Sequence, residues 1–152
     1  MSKTVDGPVN EPRITAEQFD ELVRSTIPLA RTMPFSVVSL GWGVAVVRLD
    51  FHEGQLRAGG TLNGPTMMTL ADTVLYAAVL TRIGFEPLAV TSDLNIRFLR
   101  KPQPRALVAR ATILRAGKKL CVGAIEIASE GDVRGVMQAD LVAHATGTYA
   151  LP

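Results

Sequence analysis

The sequence predicts an α+β domain in which a strongly curved antiparallel sheet wraps one long central helix. Three observations predict it. Thr66 to Leu80 is apolar almost all round and is broken only by Asp72, and a helix without a polar face needs cover from more than one side. The later segments alternate apolar and polar residues at period two, as half-buried strands do. Short clusters of turn-forming residues separate them, which suits antiparallel neighbours.

Taken in order, residues 1–13 hold Gly7, Pro8 and Pro12 with almost no apolar periodicity and read as a loose arm ahead of a single domain over residues 14–152. Thr15 is placed as a helix N-cap with Gln18 three positions on. Glu17 and Asp20 suit the helix start, and Phe19, Leu22, Val23 and Ile27 form the apolar stripe. Pro28 or Pro34 ends this helix. Two β-branched runs, Ser36 to Leu40 and Val44 to Leu49, flank Gly41-Trp-Gly43 and read as two strands or one long bulged strand. His52 to Gly60, with three glycines, is the loop before the central helix, which spans about Pro65 to Arg82. Met67, Met68 and Tyr76 are expected to fill the core.

Leu88 to Leu99 alternates, with Leu88, Val90, Leu94, Ile96 and Phe98 on one face and Thr91, Asp93, Asn95 and Arg97 on the other. Further strands are expected at about 106–114, 120–128 and 134–149. The last of these carries Met137, Ala139, Leu141, Ala143 and Ala145 on its apolar face. Turns fall at Lys101-Pro-Gln-Pro104, Ala116-Gly117 and Glu130-Gly-Asp132. This order of elements is that of the hotdog fold. Its open sheet edges predict pairing between two subunits, and its polar outer face predicts a second contact that builds a tetramer.

Bulk properties narrow the class. The chain has 152 residues, 47% hydrophobic and 20% charged, enough apolar surface for one packed core and too much for a disordered chain. Cys121 stands alone and has no internal disulfide partner, and no export-type start is evident, so a reducing cytoplasm is expected. The apolar run is shorter than the roughly 20 residues a bilayer span needs. A net charge of +2 without a long basic block argues against a nucleic-acid groove.

Three ordered motifs carry a resemblance. Gly60-Thr-Leu-Asn-Gly-Pro65 leads to Leu70-Ala-Asp-Thr73. Ala89-Val-Thr-Ser-Asp-Leu-Asn-Ile-Arg-Phe-Leu-Arg-Lys-Pro102 comes second, and Arg115-Ala-Gly-Lys-Lys-Leu120 third. Together they resemble the phenylacetate-type (PaaI-like) hotdog thioesterases from about Arg57 to the end of the chain. The resemblance implies acyl-CoA thioester hydrolysis, with Asp72 as base or nucleophile supplied by the neighbouring subunit. It also implies a Gly64 backbone N–H that polarises the thioester carbonyl, and Thr91 at the position of a hydroxyl that helps orient water. The family's usual histidine is replaced here by Asn63, and a frequent family asparagine by Arg57.

These assignments make chemical sense beside their plainer readings. Hydrolysis needs an activated water or a carboxylate nucleophile, and a donor for the developing oxyanion. Asp72, among Leu70, Ala71, Val74 and Leu75, is read as a buried carboxylate; the plain reading is that it only hydrogen-bonds a neighbour and fixes the core. Asn63 and Pro65 form a helix start, which serves capping and oxyanion binding alike. Asn63 is a further candidate donor to the carbonyl. Thr91 either packs in the sheet or reaches the site. Arg97, Arg100, Lys101, Lys118 and Lys119 are the candidates for holding the phosphates of CoA, which enters as part of the substrate; no separate cofactor is expected. Solvated surface charge is the alternative for each of them. His52, His144 and Cys121 lack metal-ligand spacing, so no metal is expected. The rival function is a noncatalytic acyl-CoA or aromatic-ligand binding protein of the same fold. A hotdog hydratase would need an acid/base pair that the sequence does not offer.

Overall fold

A computed structural model describes residues 10–131 and 140–152. The described residues form two α-helices, α1 (Ala16–Thr26) and α2 (Gly64–Ile83), and six strands: β1 (Phe35–Gly41), β2 (Val44–Leu49), β3 (Val90–Phe98), β4 (Leu107–Ala116), β5 (Leu120–Ser129) and β6 (Leu141–Ala150). Short 3-10 helices lie at Pro28–Thr32 and Glu53–Gln55. The strands form one antiparallel sheet in the order β1-β2-β4-β5-β6-β3, leaving β1 and β3 at its edges. Strand β6 begins at Leu141; the expected stretch 134–139, with Met137, Gln138 and Ala139, lies outside the described residues, as does Asp132 of the preceding turn.

Helix α2 touches all six strands. Six strands about 4.8 Å apart span more than 20 Å, so a helix roughly 10 Å across meets them all only if the sheet curls around it. This is the hotdog arrangement expected from the sequence. The pairing of α2 with the sheet is close because Gly123 and Gly147 face each other on β5 and β6 and leave a notch for Leu75. A Cβ on either glycine would stand 2.6 Å from a Leu75 methyl group. Leu70, Val74, Leu75, Val79 and Leu80 are fully buried, each worth about 1.5–3 kcal/mol of apolar transfer.

Helix α1 starts as its sequence predicts, with a capping box in which Thr15 accepts from the Gln18 N–H and the Gln18 side chain accepts from the Thr15 N–H. It ends before Pro28, which opens a 3-10 turn. Phe19, Leu22 and Val23 are buried, whereas Ile27 is 39% exposed because the helix has already ended there. Arg24 ties α1 to the 3-10 turn and to β1: its guanidinium donates to the carbonyls of Ala30, Met33 and Phe35 and lies over the Phe35 ring. β1 and β2 are two strands joined through Trp42 and Gly43, the latter at φ 70°. Ahead of α1, the Arg13 N–H donates to the Thr81 carbonyl.

Two expectations are corrected. Met68 is exposed on α2 rather than in the core, while Met67 and Tyr76 are buried. Strand β3 does not alternate cleanly, because its register with β6 shifts between Thr91 and Asp93. Ser92 is the extra residue of a β-bulge, which reverses the facing of everything before it. Leu94 and Ile96 pack on the core, but Val90 and Leu88 are exposed and Thr91 turns inward.

Filling the Leu75 notch tests the close pairing of helix and sheet. Gly147→Ala should lose about 1–3 kcal/mol of stability, seen as a lower midpoint in chemical denaturation. Unchanged stability would mean that Leu75 yields freely.

Candidate functional site

The site is built along one side of α2. Asn63 caps the helix, its Oδ1 accepting from the Thr66 N–H at 2.8 Å. Helix starts leave their first N–H groups without intrahelical partners. Here Pro65 has none to offer and Thr66 is satisfied by Asn63. Among the described residues nothing accepts from the Gly64 N–H, so it is the one uncommitted donor at this helix start. The Phe98 ring covers Gly64 so closely that a Cβ there would meet its Cζ at 3.3 Å. Helix partial charge and a free N–H make this a place for a negative or polarised oxygen.

Gly64 and Asn63 line a cavity of about 500 Å³ whose rim carries Arg57, Arg100 and Lys101. Phe98, Leu99 and Met67 give it an apolar wall. Arg100 also pairs with Asp140 at 3.4 Å, an exposed contact of small energetic weight. Arg97 lies outside this cavity, exposed on the outer face of β3, with its Nη1 3.5 Å from Asn95 Oδ1. Lys118 and Lys119 sit in the β4–β5 turn, beyond the far end of the ten-residue β4, which spans roughly 30 Å. Within one chain the five cations therefore form two separated groups plus Arg97.

Asp72 is half-buried rather than buried, at the wall of a second, smaller cavity of about 100 Å³. Val23, Ala30, Met33 and Phe35 supply its apolar side, held in place by Arg24. The Asp72 Oδ1 accepts two hydroxyls, Thr91 Oγ1 at 2.6 Å and Tyr149 Oη at 2.9 Å. Its Oδ2 has no partner among the described residues. Thr91 and Tyr149 face each other across β3 and β6, and the bulge at Ser92 is what turns Thr91 to this side.

Tyr149 escapes a reading of the sequence, since 77 residues separate it from Asp72 and no motif marks it. Its phenol is pushed well above the usual range, first by burial and then by the negative charge of Asp72. Its ring stacks on Tyr76, whose own phenol is pushed up to about 12 by burial and by Glu86.

The structure brings Asp72 and Thr91 into contact and places Asn63 beside Gly64. It does not bring Asp72 to Gly64: eight residues along a straight helix correspond to about 12 Å.

Comparison with known proteins agrees with this architecture. The model of the Thioesterase superfamily matches residues 59–136, just over half of the chain. A solved structure from Silicibacter, described as a candidate thioesterase, superposes with a TM-score of 0.79 at 37% identity, covering 93% of this chain and 94% of the other. The PaaI protein from the phenylacetic acid degradation operon of E. coli gives 0.74 at 25% identity, covering 90% and 93%. A candidate esterase of Saccharolobus solfataricus is 28% identical over 107 residues, 70% of this chain and 76% of that one. The chain belongs to the thioesterase superfamily, in its PaaI-like hotdog branch. Its chemistry accordingly falls among the ester and thioester hydrolases. No helix among the described residues is long and apolar enough to cross a membrane.

The raised Tyr149 phenol has a consequence for stability. Unfolded, it ionises near pH 10.0; folded, it keeps its proton to higher pH. Stability from this group is complete below pH 10 and is lost as pH rises, because only the unfolded chain then releases the proton. Wild type should exceed Tyr149→Phe by about 1–3 kcal/mol near neutrality, and denaturation at a series of pH values should show that gap closing above about pH 10. A gap that stays constant through that range would contradict the assignment.

Proposed function

We propose that the protein hydrolyses acyl-CoA thioesters, carrying small aryl or short to medium acyl groups, to the free acid and CoA in the cytoplasm. The observation that carries this reading is the division of the machinery along α2. An uncommitted Gly64 N–H lies beside a cation-rimmed cavity, and a carboxylate with one free oxygen lies about 12 Å away. A second copy, related by a two-fold axis with its β3 edge antiparallel to the first, would set the Asp72 end of one α2 opposite the Gly64 end of the other. The same operation would carry Lys118 and Lys119 of one subunit toward Arg100 and Lys101 of its partner. A homodimer is thus the unit of activity in this reading, and the polar outer sheet face serves its pairing into a tetramer.

In that site the thioester carbonyl accepts from the Gly64 N–H, with the Asn63 carboxamide nitrogen as a second donor. Asp72 Oδ2 either removes a proton from water, whose oxygen adds to the carbonyl carbon, or adds to that carbon itself. The oxyanion held at Gly64 then collapses, the C–S bond breaks, and the CoA sulfur leaves with the bonding pair, taking up the proton held by Asp72 in the base branch, which restores the carboxylate, or one from solvent in the nucleophilic branch. In the nucleophilic branch, water cleaves the resulting acyl-aspartyl anhydride and restores the carboxylate. Arg57, Arg100 and Lys101 meet the CoA phosphates at the rim.

Thiol release from a panel of aryl, short and medium acyl-CoAs tests this, with a correction for the Cys121 thiol. Wild type should release CoA from at least one of them, and Asp72→Asn should lose that release while keeping its fold. No release from any substrate, with the same compounds raising thermal stability, would replace hydrolysis by binding. Arg100→Glu combined with Lys101→Glu should raise KM at least tenfold at low salt while leaving kcat close to wild type, since a screened phosphate contact acts on binding; an unchanged KM would remove these cations from the site.

A further inference from the structure

We infer that Tyr149 is a positioning residue for the Asp72 carboxylate, fixing Oδ1 jointly with Thr91 so that Oδ2 alone is presented for reaction. This rests on the reading of Asp72 as the reacting group. Thr91 by itself gives the carboxylate one tether, around which it can still turn. The Tyr149 hydroxyl reaches the same oxygen from the neighbouring strand, at 2.9 Å against 2.6 Å for Thr91, and two donors from two strands fix its orientation.

The surroundings hold Tyr149 to that task. Its side chain is buried, and its ring stacks on Tyr76 at 5.3 Å with an interplanar angle of 13°. Tyr76 meets Phe19 edge-on at 5.9 Å, and Phe19 meets Phe35 at 6.4 Å, so a row of rings runs from β1 through α1 and α2 to β6 and ends at the carboxylate. The Tyr76 hydroxyl is committed elsewhere, donating to the Glu86 carbonyl at 3.0 Å, and does not compete for Asp72. Burial and the neighbouring negative charge keep the Tyr149 proton in place, so it remains a donor throughout the neutral range. Phenylalanine at this position would preserve the volume and the stack. It would lose only the hydrogen bond.

The test is steady-state kinetics of the intact oligomer for wild type, Tyr149→Phe, Tyr76→Phe and Asp72→Asn, on the acyl-CoA that wild type turns over fastest. Tyr149→Phe should lower kcat roughly ten- to a hundredfold, the value of one hydrogen bond to a charged group, with KM within about twofold. Tyr76→Phe should match wild type. Unchanged kcat in a folded Tyr149→Phe would overturn the inference. If Tyr149→Phe does not fold, Tyr149→3-fluorotyrosine, a stronger donor of the same shape, should change kcat while leaving KM within about twofold; an unchanged kcat would overturn it equally. Full turnover by Asp72→Asn would instead remove the reading of Asp72 on which the inference stands.

Discussion

Gly64 and Asp72 are set apart by a helix that is packed firmly against the sheet along its length. Leu75 is seated between two glycines of the sheet, α2 is in contact with all six strands, and the Thr81 hydroxyl near its C-terminal end accepts from the Gly43 N–H of the β1–β2 turn. A thioester carbonyl is a single small group. It does not meet an N–H donor and a carboxylate whose residues stand about 12 Å apart along one straight helix. The separation is therefore as informative as the residues: if both groups serve one carbonyl, they must come from different copies of the chain. The exposed edge of β3 and the uncovered stripe of α2 through Pro65, Met68 and Thr69 offer the surfaces for that pairing.

The same helix makes economical use of its start. Asn63 does the capping that any helix of this kind needs, Pro65 removes a donor that would otherwise want a partner, and a single N–H is left over. The Asn63 carboxamide nitrogen remains a donor at that position while its oxygen is spent on the backbone. At the other end of the site the order is reversed: among the described residues Asp72 has two donors on one oxygen and none on the other. One centre can donate and the other accept, which is the division that the proposed acyl transfer to water requires.

Much of this is legible in the sequence. The capping box at Thr15 and Gln18, the all-round apolar α2 and the strand pairs depend on local periodicity and near-neighbour chemistry, which a sequence displays directly. Asp72, Gly64 and Asn63 are legible because they occupy one short motif. What is hidden depends on register. The bulge at Ser92 adds a residue without changing the apparent alternation, so periodicity puts Thr91 on the outer face although it turns inward to Asp72. Tyr149 reaches Asp72 only because β6 lies beside β3, a neighbour relation set by the order of the whole sheet. Apolar neighbours in the chain put Met68 in the core; its exposure marks the one side of α2 that the sheet leaves open. The separation of Arg100 and Lys101 from Lys118 and Lys119, by contrast, follows from the strand expected between their two turns, which β4 supplies.

Subunit complementation tests the shared site most directly. Gly64→Pro deletes the donor N–H and Asp72→Asn removes the carboxylate, and each variant alone should be inactive. Co-refolded in equal amounts, half of the dimers would be mixed, and each would hold one intact site made of Gly64 from one subunit and Asp72 from the other. The account predicts recovery of about one quarter of wild-type thiol release, as random pairing across a two-fold axis requires. Mixed dimers that form and stay inactive would contradict it, because both groups would then have to act within a single chain.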